Sequence, residues 1–137
     1  MKKLMFAAVA LAGLLASCNN MTATYKTVLS GANEVPAVAG TGMGDVTATL
    51  DMSTQVLTVS GTYMGLTGVA VAAHIHGPAM AGTNAGVLFP LVAKDGMISG
   101  TPKLTTMQMD DLAAGKFYVN VHTAANGGGE IRGQLGK

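Results

Sequence analysis

Beyond residue 24 the chain is written in short apolar alternations that glycine interrupts every few residues. That punctuation disfavours long helices, because glycine inside a helix costs about 1 kcal/mol relative to alanine. Period-two runs between regular turn signals point instead to a β-sandwich or a β-barrel. Tyr25 to Ser30 is expected as a first strand, followed by a long loop, Gly31 to Gly44. In Asp45 to Met52, Val46, Ala48, Leu50 and Met52 alternate with Thr47, Thr49 and Asp51. Further strands are expected at Gln55 to Met64, Val69 to His76, Val87 to Ala93, Met97 to Thr101, Lys116 to His122 and Glu130 to Leu135. Lys94-Asp95-Gly96 reads as a hairpin turn.

One short helix is expected, over Thr106 to Ala114. Thr105 and Gln108 have the spacing of a capping box, Leu104 and Met109 that of a hydrophobic staple, and Gly115 suits a left-handed C-terminal cap. The chain has no Trp, three Phe and three Tyr, so the core must rest on Val, Leu, Ile, Met and Ala. Met52, Met64 and Met97 are expected at strand or core positions, and Met107 and Met109 astride the helix.

The N-terminal segment has a different grammar. Lys2 and Lys3 precede an unbroken apolar or small run, Leu4 to Leu15, which leads into Leu15-Ala16-Ser17-Cys18. The run falls short of the ~20 residues of a spanning helix and has the layout of a signal peptide. The competing reading is a retained anchor. Leu15-Ala16-Ser17-Cys18 resembles the bacterial lipobox, which implies that Cys18 becomes the lipidated first residue of the mature protein. Asn19 after it resembles lipoproteins sorted to an outer membrane. The expected organisation is a signal peptide at 1–17, a lipidated tether at 18–24 and one domain at 25–137. Cys18 is the sole cysteine, so no intrachain disulfide can form. Without Lys2 and Lys3 the eight basic residues become six against seven acidic ones, a net charge of −1. So weak a charge argues against a nucleic-acid partner.

Three segments of the domain carry a family resemblance: Leu29-Ser30-Gly31-Ala32-Asn33-Glu34-Val35-Pro36, Ala73-His74-Ile75-His76-Gly77-Pro78-Ala79, and Tyr118-Val119-Asn120-Val121-His122-Thr123 running on to Gly129-Glu130-Ile131-Arg132-Gly133-Gln134-Leu135. In order and spacing they resemble the CHRD domain, a module named from chordin and found in many bacterial exported proteins. Gly127 stands where that family commonly has proline, which loosens the turn. The resemblance implies an antiparallel β-sandwich of immunoglobulin-like character. It implies no settled activity and no catalytic residues.

All three histidines fall within these motifs. His74 and His76 are two apart on one strand and share a face, opposite Val69, Val71, Ala73 and Ile75, which read as the core side. Phe117, Val119 and Val121 read as core in the later strand, which turns Tyr118, Asn120 and His122 the other way. If the two strands are neighbours, three imidazoles converge outside the core. Neutral imidazole suits copper or zinc, copper being preferred here, with Met80 as a candidate extra ligand. Asn120, Glu130 and Arg132 are candidate supporting residues, with Glu34 nearby. The alternatives are structural: polar histidines on a solvent-facing strand, His122 bonded to the glycine loop, and Glu130 with Arg132 as a surface ion pair. The His-x-His pair also resembles the copper ligands of copper/zinc superoxide dismutase. That match is local, without a bridging histidine, a separate zinc-ligand cluster or a disulfide.

No Gly-x-Ser-x-Gly occurs, and Gly127-Gly128-Gly129 is not followed by the Lys-Ser/Thr of a phosphate loop. Two functions stay open. One is a non-catalytic, lipid-anchored binding or structural module of the cell envelope, held to the membrane through Cys18. The other is a copper-binding protein for metal storage, delivery or redox protection.

Overall fold

The computed structural model describes residues 21–137. The expected signal peptide, the retained-anchor alternative and Cys18 lie outside the described residues. Among the described residues, no helix is long and apolar enough to cross a membrane. Eight antiparallel strands form the domain: β1 Thr22–Ser30, β2 Met43–Asp51, β3 Val56–Met64, β4 Ala70–His76, β5 Val87–Lys94, β6 Met97–Gly100, β7 Tyr118–Thr123 and β8 Ile131–Gln134. One helix, α1 Thr106–Ala113, interrupts them, and a short 3-10 turn covers Gly31–Asn33. Strand β1 starts at Thr22 rather than Tyr25. Thr22 to Thr24 pair with Asp51 to Thr49, and Ala23 packs against the core, so most of the expected tether's end belongs to the sheet.

The two separate sheets of a sandwich do not occur. One sheet closes on itself as a barrel in the order β1-β2-β3-β6-β5-β4-β7-β8. Both seams that would divide it are hydrogen-bonded. At the first, the β5–β6 hairpin turns through Asp95 and Gly96, with φ of 51° and 77°, the pair of positive values a two-residue hairpin turn needs. At the second, Ser30 of β1 pairs with Arg132 of β8, and Lys26 exchanges backbone hydrogen bonds with Gly136 at 2.8 and 3.2 Å. Gly133 makes that approach feasible: a Cβ there would stand 2.4 Å from the Val28 carbonyl oxygen and 2.3 Å from Thr27 Oγ1. Sequence periodicity reports which face of a strand is buried. It does not report whether the last strand reaches the first.

The inward faces fill the barrel with Leu29, Val46, Leu57, Ile75, Val119 and Ile131, among others. Helix α1 starts at the expected capping box, and Leu104, Leu112 and Met109 tie it to the core. Two expectations about faces fail. Val69 and Val71 are exposed, because the register of β4 against β7 slips between Ala70 and Ala72. Ala70 faces Thr123 and Ala72 faces His122, so Val71 is the extra residue of a bulge and the alternation reverses across it. Nor do most methionines fill the core: Met64 and Met97 hold strand positions as expected but, like Met52 and Met107, are exposed, and Met109 alone of these packs against the core. Met64 and Met97 follow the outward parity set by Val59 and Ile98. Met52 falls in the turn after β2, where Asp51 accepts hydrogen bonds from the backbone of Ser53 and Thr54.

Candidate metal centre

Strands β4 and β7 are direct neighbours, with His74 opposite Asn120, His76 opposite Tyr118, and Ala72 opposite His122. The parity of the two strands therefore places all three imidazoles on one face, one strand step apart. Ring centroids lie 4.8 Å apart for His74 and His122, 5.5 Å for His74 and His76, and 6.1 Å for His76 and His122. One ligand atom from each histidine lies within 4.8 Å of the others, close enough to hold a metal ion. This face is not the open surface that strand alternation alone suggests. His76, His122, Tyr118 and Asn120 are all buried, beneath the loops that carry Ala85 and Gly127.

The three rings are held differently. His122 Nδ1 lies 2.9 Å from the Gly127 carbonyl oxygen, the bond to the glycine loop that the structural reading anticipated. When that nitrogen donates, Nε2 is left with its lone pair, and His74 Nδ1 stands 3.0 Å from it. A backbone acceptor that fixes the tautomer of a ligating imidazole is a common support for metal sites. His76 is bound at both nitrogens, with Nδ1 2.9 Å from the Ala85 carbonyl oxygen and Nε2 2.9 Å from Asn120 Oδ1. A neutral ring has one N–H for these two positions, so Asn120 must turn its amide when Nδ1 carries the proton. Ligation through either nitrogen requires a protein partner to give way.

Burial lowers the pKa of His74, helped by the neighbouring His122 and His76. Burial also lowers that of His76, with the Ala85 carbonyl and Asn120 opposing and His122 and Arg132 assisting. Both shifts favour the neutral form that a metal requires. Ligands at ~2.0–2.1 Å in a tetrahedral site stand about 3.4 Å apart. At 3.0 Å the His74–His122 pair lies about 0.4 Å inside that spacing, and His76, whose ring centroid is 5.5 and 6.1 Å from the other two, is the member that would have to move farthest.

Of the candidate supporting residues, Asn120 touches a histidine directly. Arg132 acts through an aromatic stack: its guanidinium lies 3.4 Å from the centroid of Tyr118, whose ring stacks on His76 at 4.8 Å and 2°. Asn84 Oδ1 and the Thr83 carbonyl accept from Arg132 at 2.9 and 2.7 Å. Glu130 does not reach the histidines. It precedes β8, and its carboxylate accepts from Thr67 N and Oγ1, Thr123 Oγ1 and Asn126 Nδ2, pinning the glycine loop at its base. The surface ion pair of Glu130 with Arg132 does not form, and both residues are buried. Glu34 is only 6% exposed, its Oε1 has no hydrogen-bond partner, and burial pushes its carboxyl up to about 7 against the pull of Arg132 and Asn120. Met80 sits exposed on the loop after Pro78. The backbone carbonyl of Ala85 escaped sequence reasoning, since no residue type signals a carbonyl acceptor. Tyr118 was legible by parity alone; its hydroxyl clasps Ala85 N and O.

Fold and site together define a small all-β barrel domain with a loop-covered histidine cluster on its β4–β7 face. The family model of the CHRD domain matches residues 25–135, and the chain belongs to that family. No curated protein and no solved structure matches it.

Proposed function

We propose that the chain is an exported, lipid-anchored module of the cell envelope that binds a transition-metal ion through His74, His76 and His122 and performs no catalysis of its own. The observation that carries this reading is the 3.0 Å approach of His74 Nδ1 and His122 Nε2, with the third imidazole on the same face. Copper fits better than zinc. The donor set is imidazole without thiolate, and copper(II) outranks zinc for such ligands. A structural zinc site closes with four ligands, whereas three histidines leave a position open, for which Met80 is the nearest thioether in sequence. The supporting residues are Asn120, which holds His76, and Arg132, which backs it through Tyr118.

Storage, delivery and redox protection all fit such a site. Anchoring rests on the basic start, the apolar run and Leu15-Ala16-Ser17-Cys18. Cys18→Ser should release the protein from membranes or block its processing; a mutant cleaved normally and still in the membrane fraction would refute the lipid. Metal analysis of protein purified without a histidine tag, followed by copper and zinc titration of wild type and a His74/His76/His122→Ala variant, tests the site. Equal copper affinity in the two proteins would leave the histidines a structural role alone.

A further inference from the structure

Seven of the eight methionines among the described residues lie at the surface, and three of them share one patch on the outer face of β2, β3 and β6. Met43 and Met64 are directly opposed in the β2–β3 ladder. Met97 pairs with Thr62, which puts it diagonally beside Met64. Their exposures are 53%, 62% and 64%. Directly opposed side chains have Cβ atoms about 5 Å apart, and diagonal neighbours at ~7–8 Å are still within reach of long side chains. Methionine has three rotatable side-chain bonds, so three sulfurs can meet above Met64 without disturbing the sheet. Met43 and Met64 also line one cleft of about 280 Å³, together with Val28, Asp45 and Thr62. Asp45 follows Met43 on the same face and adds a negative charge, with Thr62 Oγ1 donating to its Oδ1 at 2.6 Å. Lys94, opposite Met97 in the β5–β6 ladder, bounds the patch with a positive one.

The geometry points to a second metal site, in which Met43, Met64 and Met97 bind a soft monovalent ion of the copper(I) class. Thioether sulfur selects copper(I) over harder divalent ions, and three such donors with no imidazole or thiolate among them leave little affinity for zinc or copper(II). The outward parity of all three residues serves no packing need. Leucine or valine would give the strands the same shape without presenting a donor. The site lies on β2, β3 and β6, and the histidines on β4 and β7, so the two share no ligand. Neither reading needs the other.

Silver(I) is a redox-stable probe for this chemistry. The purified protein, as the cell processes it, would be labelled at the methionine methyl groups with carbon-13 and titrated with silver(I), in wild type and in a variant with His74, His76 and His122 replaced by Gln. The first equivalent bound at the patch should shift the methyl resonances of Met43, Met64 and Met97 together in both proteins, leaving Met107 unmoved. Met64→Leu keeps shape and removes the central sulfur. It should weaken silver binding at the patch by at least the ~10–100-fold that loss of a supporting partner costs a metal site. The site is overturned if the three methyls respond no more than that of Met107, or if Met64→Leu binds as tightly as its parent. The wild-type spectra decide the point on their own should the histidine variant fail to fold. Equal copper(II) affinity in wild type and the histidine variant, with the methionine response intact, would refute only the centre on β4 and β7.

Discussion

Glu34 offers the sharpest test of the energetics around the site. Its carboxyl is buried, one oxygen has no hydrogen-bond partner, and burial raises its pKa from 4.5 to about 7. Gly129 is what lets it lie there: a Cβ at that position would come 2.3 Å from Glu34 Oε1 and 2.6 Å from Asn120 Nδ2. Between pH 4.5 and 7 the folded protein holds a proton here that the unfolded chain has released. Stability therefore falls as pH rises through this window, and the penalty is complete above it. At about 1.4 kcal/mol per unit, the raised pKa sets a ceiling of about 3 kcal/mol. Glu34 lines clefts of about 430 and 260 Å³ on its two sides, and water entering them screens part of the charge, so a difference of about 1–3 kcal/mol is expected. Glu34→Gln imitates the protonated acid. Urea unfolding should find the two proteins equally stable near pH 4.5, and the variant more stable at pH 8.5. Histidine titration is common to both proteins and cancels in the comparison. A difference that does not change with pH, or a wild type that gains on the variant as pH rises, would refute the reasoning.

Three further outcomes follow from the same geometry. Gly133→Ala forces a Cβ against the Val28 carbonyl and should open the β1–β8 seam at a cost of about 1–3 kcal/mol in urea unfolding, whereas Gly40→Ala, with open space around its Cβ, should change little. Glu130→Gln should cost about 1–3 kcal/mol and speed hydrogen exchange at Thr67, because a carboxylate that accepts four hydrogen bonds is replaced by an amide that cannot accept them all. Burial works to raise the pKa of Glu130, but the bonds from Thr123, Thr67 and Asn126 outweigh it and leave the pKa below the ordinary value. Its contribution is therefore present above the unfolded pKa and is lost as pH falls through the folded one. Copper affinity should stay nearly flat from pH 8 to 7 and decline mainly below ~6.5, since His74 and His76 both have lowered pKa values; competition titrations that show the main loss above pH 7 would contradict this.

Much of this was legible because it is local. The Asp95-Gly96 turn, the Thr105–Gln108 capping box and the shared face of His74 and His76 each depend on residues a few positions apart. The approach of His122 needed one further step, that β4 and β7 are neighbours. What escaped is what strand parity cannot encode. A single extra residue in β4 sent Val69 and Val71 outward while Ala73 and Ile75 stayed in the core. The seam at Gly133 turned an expected sandwich into a barrel. Loops of small residues came back over β7 and buried a face that alternation assigns to solvent. Glu130 and Arg132, spaced as a surface pair, became separate buried anchors for two different loops.

The loops decide what kind of metal site this can be. A strand pair alone would present three imidazoles to solvent, equally free to ligate. Here His122 is oriented by Gly127, and His76 is occupied by Ala85 and Asn120, so the donors are ranked before any ion arrives. His74 and His122 need only give up the proton between them. His76 must break a buried hydrogen bond, which costs about 1–3 kcal/mol if its partner is left unsatisfied. An ion content with two nitrogens, such as copper(I), meets that cost later than one that demands a full tetrahedral shell, such as zinc. The same loops restrict access to His76 and leave His74, the least buried of the three, as the point of entry. If the cluster takes up an ion, entry at His74, capture by His122 and recruitment of His76 would be the order of lowest cost, and the loops above the rigid sheet would then set the selectivity of the site.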